Sequence, residues 1–148
     1  MKLIKIYDLK EDKSSIESLQ KASLNPDPEF GFKISPYGLI GSPQWWQAVQ
    51  GEVIPVHIVQ GKIVNVYNTG HGNNFPEFDV NCNGNVSSWM LEGNKQYYKI
   101  GNEIRIMYVL QEYKIFHKGL GSESQVVLTI EAQEVDIIKE LFDGLEMV

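Results

Sequence analysis

Between Glu52 and Phe116 the chain reads as one strand after another, broken by tight turns. Val53 to Tyr67 alternates and is rich in β-branched residues, with Gly61 marking a bend, bulge or turn. Phe78 to Cys82 and Val86 to Leu91 flank Asn83-Gly84. That dipeptide suits a type I′ hairpin, whose two central residues both need positive φ. Gly93-Asn94 marks another turn, and Tyr97 to Ile100 reads as a short strand. Glu103 to Phe116 puts Ile104, Ile106, Tyr108 and Leu110 on one face of a strand. A polar turn from Lys118 to Ser124 leads into a further strand, Gln125 to Glu131.

Helical signals lie outside this stretch. Leu3 to Tyr7 reads as a short strand, followed by a helix over 12–22, where Ser14 and Glu17 have the spacing of a capping box. Ser42-Pro43 opens a helix over 43–50: Ser42 is a good N-cap, Pro43 loses nothing at the first helical position, and Gly51 suits a left-handed stop. On it Trp45 and Val49 share a face and Trp46 points elsewhere. A third helix is expected over 133–145, with Val135, Ile138, Leu141 and Phe142 on one side. The connection from Asn25 to Gly41 holds Phe30, Phe32, Ile34, Tyr37, Leu39 and Ile40, too many apolar groups for a linker, so it is expected to be ordered.

Strands gathered centrally, with helices near both ends, imply an α+β class with a mainly antiparallel sheet, curled or closed into a small barrel. The peripheral helices are those near 12–22, 43–50 and 133–145, and 1–148 is expected to form a single domain. A strand opens at Gly61-Lys62-Ile63-Val64, a hairpin follows at Asn83-Gly84, and Tyr98-Lys99-Ile100-Gly101-Asn102-Glu103-Ile104 turns into a closing strand. That order resembles OB-type barrels over the middle of the chain.

Composition excludes several functions. Hydrophobic residues make up 43% and charged residues 22%, which is globular rather than disordered. The formal charge is −6, and Arg105 is the only arginine among 13 basic residues. Arginine forks grip phosphate and guanine, so this balance argues against a nucleic-acid binder. One cysteine, Cys82, rules out an internal disulfide framework and a cysteine-rich zinc site. The first residues lack the pattern of a signal peptide and no stretch is apolar enough to span a bilayer, so the expectation is cytoplasmic, with no membrane partner.

Motifs with chemistry are sparse. The loop Thr69-Gly70-His71-Gly72-Asn73-Asn74 lets backbone approach a ligand closely, and Glu77 and Asp79 follow on one side of a strand. His71, Glu77 and Asp79 could compose a metal or proton-transfer site, but a further histidine to complete a ligand set is missing. Trp46, Trp89 and Tyr97 are aromatic candidates for a binding surface. Tyr97, Tyr98, Tyr108, Tyr113 and Phe78, with Lys95 and Lys99, could line a barrel face that stacks bases. Cys82 has no basic neighbour that would make it a nucleophile, and no nucleophile elbow, zinc-protease or P-loop motif occurs.

The expectation is a small acidic protein-interaction domain without catalysis or cofactor, of inhibitor or immunity type. Its partner would be another protein, a basic one, because opposite charge speeds encounter. The binding residues would be Trp46, His71, Glu77, Asp79, Trp89 and Tyr97. An OB-like binder of single-stranded nucleic acid or a small ligand is the first alternative. A metal-dependent enzyme using the His71 loop is the second.

Overall fold

Asn83 and Gly84 sit at φ 51° and 91°, the two left-handed positions of the expected type I′ turn. They join strands that a computed structural model, describing residues 2–135, places at Phe75–Cys82 (β3) and Asn85–Met90 (β4). The other strands are Leu3–Asp8 (β1), His57–Thr69 (β2), Glu103–His117 (β5) and Gly121–Gln133 (β6). Hydrogen bonds order them β1-β6-β5-β2-β3-β4. The chain is α+β, with six strands in one antiparallel sheet and two α-helices among the described residues. The helix expected over 133–145 lies outside the described residues from Asp136 on, and its first residue, Gln133, ends β6.

Backbone contacts divide the chain into two compact units. One draws on Tyr7–Val59 and Ile106–Ile130. It holds both helices, Lys13–Leu24 (α1) and Pro43–Gln50 (α2). Its core joins Leu9, Ile40, Trp45, Ala48, Val49, Ile54, Val109, Val126 and Leu128. Ser42 caps α2 as its sequence promised, accepting from the Trp45 amide at 3.3 Å. A helix of two turns is held by packing, and Trp45, fully buried, is its anchor. The segment from Asn25 to Gly41 is ordered: Phe32 bridges to Tyr113 in β5 and their rings stack at 5.2 Å.

Three local expectations are corrected, at α1, after α2 and along β5. Asp12, not Ser14, caps α1: its carboxylate accepts from the Ser15 amide and hydroxyl, while Glu17 pairs with Lys21. The left-handed residue after α2 is Glu52 at φ 58°, and Gly51 sits at φ −80°. In β5 the buried side alternates through Ile104 and Ile106, then passes to Val109 and Gln111, leaving Leu110 exposed. Strict alternation from Ile104 to Leu110 therefore does not hold.

Among the described residues the other unit comprises residues 2–6, Gln60–Arg105 and residues 131–135. Ile63, Phe78, Val80, Trp89, Tyr98, Ile104 and Ala132 are buried in it. The short strand expected at 97–100 is instead a turn of 3-10 helix at Lys95–Tyr97, capped by the Asn94 side chain. Tyr98 then drops into the core, its ring 4.8 Å from that of Phe78 and its hydroxyl donating to the Glu92 carbonyl. Gly61 lies where β2 and β3 nearly touch: a Cβ there would fall 2.0 Å from the Asn81 carbonyl oxygen.

Candidate functional site

β2, β3 and β4 form a three-strand ribbon whose two faces the register separates. Residues directly opposite one another in an antiparallel pair point to the same face. Phe78 pairs with Trp89 and Val80 with Ser87, and Phe78, Val80 and Trp89 are buried, so this is the core face. The outward face carries the alternate pairs Glu77–Met90, Asp79–Ser88 and Asn81–Val86.

β2 extends these rows because of a bulge. Ile63 pairs with Val80 on the core face, the register slips, and Asn65 then pairs with Asp79, Tyr67 with Glu77 and Thr69 with Phe75. The extra residue, Val64, turns Asn65, Tyr67 and Thr69 outward, whereas unbroken alternation from Ile63 would aim them into the core. The outward face thus mixes carboxylates and hydroxyls with the exposed apolar side chains of Phe75, Val86 and Met90.

Hydrogen bonds across the strands fix the carboxylates. Asp79 Oδ1 accepts from the Tyr67 hydroxyl at 2.7 Å and from the Ser88 hydroxyl at 2.7 Å. Glu77 accepts from the Thr69 hydroxyl. Partial burial raises the Asp79 pKa, but the hydrogen bonds from Tyr67, Ser88 and Asn65 outweigh it and hold the carboxyl below its ordinary range. Ser88 acts to lower the Tyr67 pKa. The bond to Asp79, partial burial and the Asp79 and Glu77 charges together raise it, so the phenol stays a donor.

The six residues singled out from sequence fall in different places. Glu77 and Asp79 lie together on the outward face, and His71 is exposed on the turn joining β2 to β3. Trp89 is 4% exposed and faces the core, its Nε1 donating to Ser87 Oγ at 2.8 Å, so its ring offers no surface. Tyr97 is half-buried in the 3-10 turn of the same unit. Trp46 belongs to the other unit, where its ring packs edge-on against Trp45 at 4.8 Å and Lys10 Nζ stands 5.0 Å from its centre.

Sequence reading missed Asn65, Tyr67 and Ser88, the partners that orient Asp79. Ser88 was within reach, since counting outward from the Asn83-Gly84 turn brings it opposite Asp79. Tyr67 was not, because the bulge that turns it outward leaves no mark in the sequence.

Of the aromatic residues considered for stacking bases, Phe78 and Tyr98 are buried in the core, and Tyr97, Tyr108 and Tyr113 are half-buried. Among the described residues no three His, Cys, Asp or Glu side chains gather as a metal would require, and His71, Glu77 and Asp79 form no such group. No helix among them is long and apolar enough to cross a membrane.

A comparison with curated proteins finds no match to this chain. A family profile described as "Immunity protein RhsI2" matches residues 1–133. Immunity proteins act by binding a partner protein, which agrees with an outward face built of held carboxylates and exposed apolar side chains. The chain is a non-catalytic protein-interaction domain and belongs to the immunity protein RhsI2 family.

Proposed function

We propose that this protein neutralises a cognate toxin by binding it with the outward face of β2, β3 and β4, and that the toxin surface it meets is basic. The observation that carries the reading is the pair Glu77 and Asp79, oriented by Thr69, Tyr67 and Ser88 on an outward face that also exposes Phe75 and Met90. Carboxylates held in place before contact lose little side-chain freedom on binding, and the apolar groups beside them supply area to desolvate. The net charge of −6 supports a basic partner, since opposite charge speeds the encounter of two proteins. A cytoplasmic site of action accompanies this reading, with Cys82 kept reduced.

Co-expression tests it. Candidate toxin domains from the source genome are induced in a host with and without this protein, and rescue of growth identifies the cognate one. Purified, that toxin is then titrated with the protein and with the double variant Glu77→Lys and Asp79→Lys. The expected outcome is rescue by the parent and binding at least about a hundredfold weaker by the variant, given the cost of facing like charges across an interface. Unchanged affinity in the variant would show that the toxin docks elsewhere.

A further inference from the structure

We infer that an extended strand of the toxin adds to the free edge of β4, an inference that rests on the toxin-binding reading above. β4 ends the hydrogen-bonded order of the sheet, with β3 on one side and no strand on the other among the described residues. Which of its backbone groups face that open side follows from the register. The Leu91 amide donates to the Pro76 carbonyl at 3.0 Å, so the pairs Phe78–Trp89, Val80–Ser87 and Cys82–Asn85 are the hydrogen-bonded ones. Val86, Ser88 and Met90 stand in the intervening pairs, so their N–H and C=O groups point away from β3. The same three residues carry exposed side chains.

Proteins guard free edges with lysine, proline, bulges or inward charges. β1, at the other end of the order, carries Lys5 and Asp8. β4 reads Asn-Val-Ser-Ser-Trp-Met, with no charge and no proline, and pairs with β3 without a register break. An edge left in this state suits a strand partner.

Charge selects the partner. A strand added antiparallel to β4 would exchange both backbone bonds with Ser88 through the residue directly opposite, and that residue's side chain would share the outward face. Strands lie about 4.8 Å apart, so it would start about 10 Å from Asp79, in the same row, with only the small Ser88 between. A lysine or arginine at that position spans the gap over Ser88 and reaches the Asp79 carboxylate, whose two oxygens have acceptor capacity beyond the Tyr67, Ser88 and Asn65 bonds. The occupant is therefore an extended segment of the toxin with a basic residue on the Asp79 row, joined by main-chain bonds as in other strand-addition complexes.

Residue-resolved amide exchange of the full chain, free and saturated with the toxin identified by co-expression, tests this. In the free protein the Val86, Ser88 and Met90 amides exchange quickly. With toxin they become protected together, an every-second-residue pattern that side-chain contact alone would not produce. Toxin bound with these amides still exchanging overturns the inference and leaves the toxin-binding reading standing. No toxin bound overturns both. Protection without toxin, in a chain that runs as a dimer, shows that a second copy takes the edge and also overturns it.

Two variants add an affinity readout. Ser88→Pro removes an amide that β3 does not use, whereas Ser88→Ala removes only the hydroxyl. Ser88→Pro is expected to weaken binding at least about a hundredfold and Ser88→Ala less than about tenfold. Equal affinities in two folded variants would count against the added strand.

Discussion

Tyr67 donates its phenolic hydrogen to Asp79 Oδ1 across 2.7 Å, although the residue directly opposite Tyr67 is Glu77. The bond runs diagonally between two rows of the outward face and ties β2 to β3 beyond their backbone ladder. Tyr67→Phe keeps the ring and removes the donor. Urea unfolding should show a loss of about 1 kcal/mol. The sign with pH follows from Asp79, whose folded pKa is lowered. A depressed carboxyl stabilises the fold above its unfolded value and ceases to do so as pH falls through the folded one. The difference between parent and Tyr67→Phe should hold steady above about pH 5 and shrink below about pH 4. A difference that grew on acidification would refute this account of the bond.

Asp12 caps α1 and is held by three bonds: from the Ser15 hydroxyl at 2.6 Å, the Tyr7 hydroxyl at 2.8 Å and the Ser15 amide at 3.1 Å. The Ser15 hydroxyl does most to lower its pKa, partial burial opposes it, and Tyr7 and the Ser15 amide add to the lowering. Asp12→Ala should cost about 1 kcal/mol at neutral pH. That cost too should fade as the parent carboxyl is protonated. Ser14→Ala should change little, which separates the observed cap from the capping box suggested by the sequence.

Trp45 and Trp46 are adjacent in sequence and unequal in burial. Trp45→Ala empties a fully buried site and should cost about 3–5 kcal/mol, lowering the Tm by roughly 4 °C per kcal/mol in a chain of this size. Trp46→Ala removes a half-buried ring and its contact with Lys10, and should cost about 1–2 kcal/mol. Thermal melts of the two variants measure the ratio. Equal losses would contradict the packing described for α2.

Gly61→Ala would place a Cβ 2.0 Å from the Asn81 carbonyl oxygen, a backbone atom that cannot swing aside. Overpacking of this kind costs about 1–3 kcal/mol. The strain falls where β2 begins its pairing with β3, so amides near Lys62 and Asn81 should exchange faster than those near Thr69 and Phe75. Uniform exchange along the ribbon would argue that the strands separate to admit the methyl group.

The sequence by itself determined the α+β class, the Ser42-Pro43 start of α2, the type I′ turn at Asn83-Gly84 and the face shared by Glu77 and Asp79. Each depends on residues a few positions apart, whose dihedral preferences and local hydrogen bonds act before any distant contact forms. The tertiary structure decided the rest. Capping by Asp12 gains from Tyr7, which reaches back from β1, and a left-handed Glu52 after α2 lets the Val53 and Ile54 amides reach the Ala48 carbonyl. Trp89 goes to the core because Phe78 lies opposite it. Above all, one extra residue at Val64 moves Asn65, Tyr67 and Thr69 from the core side of β2 to the outward side. Side chains alternate with a period of two, so a single inserted residue reverses everything beyond it. The choice between the two arrangements is made by how β2 meets β3, which no short stretch of sequence records.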